Sequence, residues 1–202
     1  MPSPSPRTTL TPLTLEGRFV RLEPLAASHG GEFERLQDRI DEPVSKFNMS
    51  FTHGDVRRWF RDIVDVPIEQ ALTFAVRRLS DGQIVGSTRY HAIDLPNKTL
   101  EVGGTWYVAS ARGTFVNPEC KLLLLDHAFE DLNLNRVQLK CDARNQHSRK
   151  AMLKMGAKEE GTLRRHSIYP GGFVRDVIFF SVIPEEWPDV KRGLTERLAR
   201  FG

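Results

Sequence analysis

Three strand-like runs stand side by side in this chain, and the helix–strand–helix stretch behind them restricts the fold more than any single residue does. Leu72–Leu79, Ile84–Ile93 and Thr99–Ala109 are rich in β-branched and aromatic residues. Ser80-Asp81-Gly82 and Leu95-Pro96-Asn97 supply turn residues between them, so the three form an antiparallel meander. The period then changes. A helix is expected over about 117–132, with Asn117 as its cap and Pro118 at the first helical position. Arg136–Cys141 is a strand, with Val137, Leu139 and Cys141 on one face and Arg136, Gln138 and Lys140 on the other. Asn145 caps a second helix that ends near Gly156. A hairpin with arms 157–168 and 173–183 turns at Pro170-Gly171-Gly172. A strand–helix–strand–helix unit inside a meander implies an α+β fold with a mixed, mostly antiparallel sheet.

The remaining elements fit that frame. Arg18–Pro24 alternates charged and apolar side chains and reads as a strand with one wet face. Residues 26–40 and 53–65 carry helical spacing, with Phe33, Leu36 and Ile40 on one face and Val56, Trp59, Phe60 and Ile63 on another. A last helix is expected over about 185–200. Met1–Pro12 is rich in Ser, Pro and Thr without the apolar stretch of a signal peptide, so a loose tail is expected ahead of one domain over 13–202.

Composition excludes several classes of function. A chain of 202 residues buries a core without disulfide or metal staples. A net charge of +3 is too weak for the basic field of a nucleic-acid binder, although it suits a small anionic ligand. The basic pairs Arg57-Arg58, Arg77-Arg78 and Arg164-Arg165 fall on separate elements and read as solvated faces. Cys120 and Cys141 sit in apolar periodic segments and read as reduced core thiols, which points to the cytoplasm. No histidine pair has zinc-ligand spacing beside them, so no metal is expected. No apolar run approaches the ~20 residues of a membrane span.

The strand ending at Ala109 runs through Ser110-Ala111-Arg112-Gly113-Thr114-Phe115-Val116 into the helix at Asn117. Such a loop aims backbone N–H groups at one point beside a helix N-terminus, a site for a pyrophosphate, and Arg112 adds a forked cation. The same residues also read as an ordinary connection, with Glu119 in the first turn already answering the helix dipole. Physical chemistry alone leaves the two readings even.

The segment Leu100-Glu101-Val102-Gly103-Gly104-Thr105-Trp106-Tyr107, the loop after it, Arg136–Lys140, Asn145-x-x-Ser148 and Lys154-x-Gly156 resemble the GNAT superfamily. Leu15–Leu22, Glu159–Arg164, Arg175-Asp176 and Glu186-Trp187 resemble its RimJ/RimL-type N-terminal acetyltransferases, and the likeness runs from about residue 13 to 190. The resemblance implies splayed central strands, acetyl-CoA as acyl donor and an amine acceptor; it leaves a homodimer open. It assigns Arg112, Gly113, Thr114, Val116 and Asn117 to the pyrophosphate, and Trp106, Tyr107 and Val108 to the pantetheine arm through free backbone groups. It gives Asn145 a bond to that arm and Ser148 a hydroxyl near the CoA sulfur, although the first also reads as a cap and the second as a first-turn serine. Phe115 and Asn117 depart from the family's small residues in the loop, so Phe115 is expected to turn into the core or against the hairpin.

The chemistry needs a neutral amine. An α-amino group has a pKa near ~8 and a lysine near ~10.4, so an N-terminal acceptor needs only modest help from a carboxylate acting through water. Glu101 is the candidate base; it reads equally as a solvated or salt-bridged strand residue. His166 is a second candidate, also readable as a surface hairpin histidine. Gly103-Gly104 in mid-strand suggests a bulge that opens the sheet beside Glu101. A CoA-binding module of this fold without catalysis is the rival reading; no Gly-x-Ser-x-Gly elbow supports a serine hydrolase.

Overall fold

A computed structural model describes residues 9–40, 55–169 and 172–201. Eight strands form one sheet: β1 (Leu15–Glu16), β2 (Val20–Pro24), β3 (Ala71–Arg78), β4 (Ile84–Asp94), β5 (Thr99–Tyr107), β6 (Arg136–Asp142), β7 (Lys158–Ile168) and β8 (Val174–Val182). Their order is β1-β2-β3-β4-β5-β6-β8-β7, antiparallel throughout except where β6 lies parallel to β5. Among the described residues the α-helices are α1 (Gly30–Glu34), α2 (Val56–Val64), α3 (Val116–Asp126), α4 (Gln146–Met155) and α5 (Trp187–Ala199). Antiparallel neighbours need only turns, whereas the parallel pair needs the crossover through α3. The expectation of an α+β fold with a mixed, mostly antiparallel sheet therefore holds.

Register divides the sheet into two faces. Phe74, Tyr90, Leu100, Val102, Val137, Leu139 and Phe180 share the face covered by α3 and α5, and all are buried. Tyr90 fixes α3 there by donating its hydroxyl to the Leu124 carbonyl at 2.5 Å. Ser87, Arg89, His91, Glu101, Gln138 and Lys140 share the other face. One end of it is closed by Phe33 of α1 and Trp59 of α2, whose rings meet Trp106 at 6.0 and 5.1 Å.

Three expectations change, and a fourth holds within the described residues. The helix over 26–40 is broken into a 3-10 turn at Ala27–His29, the five-residue α1 and a second turn at Gln37–Arg39. The adjacent Gly30 and Gly31 weaken helix propagation there; Phe33 and Leu36 are buried in the core and Ile40 packs partly against it. The helix expected over 53–65 is α2, capped by Asp55, whose carboxylate accepts from the Arg58 N–H at 3.1 Å; its first expected residues lie outside the described ones. α3 begins at Val116, not Asn117, and widens after Asp126 into a π turn at His127–Asp131. Leu10, assigned to the tail, is buried in the core. The hairpin β7–β8 forms as expected, with Pro170 and Gly171 of its turn outside the described residues.

The Glu119 carboxylate does more than answer the helix dipole. From the first turn of α3 it accepts the backbone N–H groups of Arg18, Phe19 and Val20 at 2.8, 2.7 and 2.6 Å. The basic pairs on β3 and α2 are met by carboxylates: Arg77 bridges Glu23 and Glu32, Arg78 holds Asp81 and Arg57 holds Glu34.

Candidate active site

Pairing between β5 and β6 stops at Glu101 and Gln138. β6 keeps its ladder with β8 from Val137 to Asp142 and leaves with it. β5 stays with β4 up to Tyr107. The two strands therefore part, and Glu101 marks the closed end of the cleft between them. The bulge expected at Gly103-Gly104 is present: Ser87 pairs with Trp106 and Arg89 with Gly103, so Thr88 alone faces Gly104 and Thr105. Gly104 takes φ 57°, which a side chain would resist. The bulge lies on the β4 side of β5, however, and the sheet opens on the β6 side.

The backbone of β5 is divided between its two edges. Val108 donates its N–H to the Val85 carbonyl at 2.9 Å, and its own carbonyl accepts from Ala111 at 3.0 Å. The Val108 N–H is thus taken and its carbonyl already engaged once, a correction to its assignment as a free backbone donor for the pantetheine arm. Tyr107, one residue earlier in an alternating ladder, directs its N–H and C=O away from β4 and into the cleft. The Trp106 side chain is buried among Trp59 and Phe33, which leaves a ligand only its backbone.

Glu101 is 1% exposed. Its Oε2 meets Lys140 Nζ at 3.0 Å and Gln138 Nε2 at 2.9 Å. Its Oε1 lies 3.1 Å from His91 Nε2, close enough to pair but out of line for a hydrogen bond. Burial opposes ionisation, but His91, the Lys140 charge and the Gln138 amide outweigh it and hold the carboxyl at about 2. Glu101 is thus salt-bridged and permanently ionised at neutral pH. Gly103 makes room for this cluster, since a Cβ there would stand 2.3 Å from His91 Nε2 and 3.0 Å from Glu101 Oε1. His91, Gln138 and Lys140 were not singled out in the sequence. Pairing the meander in register from Asp94 and Thr99 across the turn at 95–98 would have put Ala92 opposite Glu101; a one-residue slip between His91 and Asp94, where Ala92 takes φ 48°, brings His91 there instead, and no local signal marks it.

The loop after β5 lies beside the open end of the cleft. Gly113 takes φ 75°. Thr114 Oγ1 donates to the Ala111 carbonyl at 2.7 Å and accepts the Val116 N–H at 3.3 Å. Among the described residues no acceptor takes the N–H of Gly113, Thr114, Phe115 or Asn117, which face the start of α3 as donors for an anion. Asn117 does not cap the helix; its Oδ1 accepts the Tyr107 hydroxyl at 3.3 Å. Phe115 stacks on Phe19 at 4.6 Å and meets the edge of Phe201 at 5.9 Å, packed against the core as expected but away from the hairpin.

On the other wall, Asn145 caps α4, its Oδ1 accepting the Ser148 N–H at 3.0 Å. The Ser148 hydroxyl lies against the Cys141 thiol at the end of β6, whose pKa burial pushes up to about 11. His166 stands on β7 with its ring 5.2 Å from Phe179. Burial, then the charges of Lys140 and Arg175, lower its pKa. β7 bulges here: Arg164, Arg165 and His166 face Asp176 alone, and Arg165 turns to φ 52°. The fold thus brings Glu101, Lys140 and His166 to one side of the sheet. Among the described residues no cluster of three potential metal ligands occurs, and no helix is long and apolar enough to cross a membrane.

Residues 20–158 match the family described as acetyltransferase (GNAT) domain. The Bacillus subtilis (strain 168) protein YdaF, provisionally named a ribosomal N-acetyltransferase, is 30% identical over 134 residues, which are 66% of this chain and 69% of YdaF. A GCN5-related N-acetyltransferase from Brucella melitensis superposes with a TM-score of 0.86 at 27% identity, over 96% of this chain and 87% of its own. Mycobacterium smegmatis RimJ, solved with CoA-disulfide, shares the fold at a TM-score of 0.78 and 21% identity, over 92% and 95% of the two chains. The splayed strands, the loop at the start of α3 and the extent of these matches make this chain a member of the GNAT family of N-acetyltransferases.

Proposed function

We propose that the cleft between β5 and β6 takes acetyl-CoA and passes its acetyl group to the α-amine of a protein or peptide N-terminus. The parting of the two strands after Glu101 and Gln138 carries this reading. The pyrophosphate would lie on the N–H groups of Gly113–Asn117, beside Arg112. The pantetheine arm would pair with Tyr107 and with the Asn145 amino group, whose carbonyl half is engaged in the cap. The acceptor would approach along the face of Glu101, Lys140 and His166. The name of YdaF supports a ribosomal-protein N-terminus as its class. Two free, buried cysteines suit a reducing compartment, and we place the activity in the cytoplasm.

In the reaction the neutral amine adds to the thioester carbon, the carbonyl oxygen takes up the electron pair, and collapse expels the CoA thiolate. A carboxylate held at about 2 is a weak proton acceptor at pH 7, so Glu101 serves chiefly as fixed charge. It orients His91 and Lys140 at the closed end of the cleft, and the acceptor ammonium loses its proton to solvent before it attacks. His166, its pKa lowered by burial so that the neutral form is favoured, is able to take the second proton, which the nitrogen of the tetrahedral adduct sheds as the thiolate leaves. Ser148 would donate to the departing thiolate.

Calorimetric titration with CoA and a thiol-release assay with peptides bearing free or blocked N-termini test the reading. Turnover should require the free α-amine; equal turnover of the blocked peptide would overturn the acceptor class. Gly113→Val should weaken CoA binding by about tenfold or more, since the nest needs the left-handed residue. An unchanged Kd would move the pyrophosphate elsewhere. Ser148→Ala should lower kcat by up to about 10²-fold with KM for acetyl-CoA little changed, because a thiolate donor acts in the transition state. Wild-type turnover would leave Ser148 only its place in the first turn of α4.

A further inference from the structure

Lys121 stands in the second turn of α3 with its side chain enclosed between that helix and the sheet, 8% exposed. Its Nζ donates to Thr105 Oγ1 at 3.0 Å, and Thr105 Oγ1 lies 2.8 Å from Thr88 Oγ1. Among the described residues no carboxylate pairs with it, and burial pulls its ammonium down to about 8. A lysine buried without a counter-ion is less stable than an apolar side chain of similar shape, and the buried residues one turn further along α3, Leu124 and Leu125, are apolar. Packing therefore gives no reason for a lysine at this position.

The place where it points does. Thr105 is one of the two bulged residues of β5, and Thr88 is the residue they face. The three polar groups form a strut from α3 to the bulge, next to the stretch of β5 that borders the cleft. α3 also carries the loop at the cleft's open end, so the strut ties the two parts of the site to one helix.

We propose that Lys121 is a positioning residue for acetyl transfer: through Thr105 it fixes the bulge of β5, and with it the backbone N–H groups that border the thioester carbonyl. This rests on the reading of the cleft as the acyl-transfer site. A donor placed for the developing oxyanion acts mainly in the transition state, and a small displacement of it lowers kcat.

The test is Lys121→Met, assayed with acetyl-CoA and a peptide bearing a free α-amine. The expected result is a kcat about 100-fold lower with KM for acetyl-CoA unchanged and a thermal midpoint equal to or above wild type. Thr105→Val should give the same loss, and the double variant should be no worse than either single one, as for residues acting as a unit. Thr105→Ser, which keeps the hydroxyl, should recover most of kcat. Hydrogen exchange of amides 103–107 should be faster in Lys121→Met, with α5 unaffected. Wild-type kcat and exchange in Lys121→Met would overturn the proposal. So would additive losses in the double variant, or a fall in thermal midpoint that accounts for the lost activity. Should wild-type protein bind CoA but acetylate no acceptor, the acyl-transfer reading fails; the exchange comparison still decides whether Lys121 fixes the bulge.

Discussion

Glu119→Ala is expected to lower the free energy of unfolding by about 3–5 kcal/mol. The Glu119 carboxylate is buried and accepts three consecutive backbone N–H groups, those of Arg18, Phe19 and Val20. Removing it leaves three donors at the start of β2 without an acceptor, each a penalty of about 1–3 kcal/mol when water cannot reach it. Glu119→Gln should fall between alanine and wild type. Its carbonyl oxygen can keep the bonds to Phe19 and Val20, while its amino group must face the Arg18 N–H. Gly17 is part of the same arrangement, because a Cβ there would stand 2.6 Å from Glu119 Cδ. Urea titrations of the two variants measure the effect. Equal stability of alanine, glutamine and wild type would show that β2 is held by its ladder alone.

Glu101→Gln should lower stability at pH 7 by roughly 3 kcal/mol, and the difference should vanish in acid. The carboxyl sits at about 2 in the folded chain against an ordinary 4.5, so the unfolded chain binds the extra proton between those values. Its contribution is complete above about 4.5 and is lost as pH falls through about 2. The amide would also turn a donor towards Lys140 and the Gln138 amino group, which both need an acceptor. Unfolding at pH 7 and at a pH below about 2 compares the two regimes, with a partial difference expected at pH 3; a destabilisation of equal size at both ends would assign the loss to packing. In catalysis the variant should lose kcat to the same extent at pH 6 and pH 9, because a carboxyl at about 2 acts through charge. A deficit that disappears at pH 9 would instead assign Glu101 the amine's proton.

Much of the architecture was legible in local chemistry. Turn residues at 80–82 and 95–97 separate β3, β4 and β5, and the change of period after Tyr107 announces the crossover through α3. Gly103-Gly104 marked the bulge, and Asn145 marked the start of α4. Where local signals competed, the reading slipped. Asn117 and Pro118 look like a cap and a first helical residue, but Thr114 takes the Val116 N–H and α3 starts earlier. Residues 26–40 have helical spacing, yet Gly30-Gly31 breaks the run.

By itself the sequence determined the order of strands and helices, the likeness to the GNAT family and the loop beside the cleft, because each depends on neighbours a few residues apart. Only the tertiary structure decided what Glu101, Glu119 and Lys121 do. Glu101 is matched by His91, Gln138 and Lys140 from two other strands, Glu119 by the backbone of β2 about a hundred residues away, and Lys121 by a threonine on β5. A charged side chain carries no mark of its partner in a linear pattern. Whether it is solvated, paired or closed in alone depends on which elements the sheet register and the helix packing bring against it.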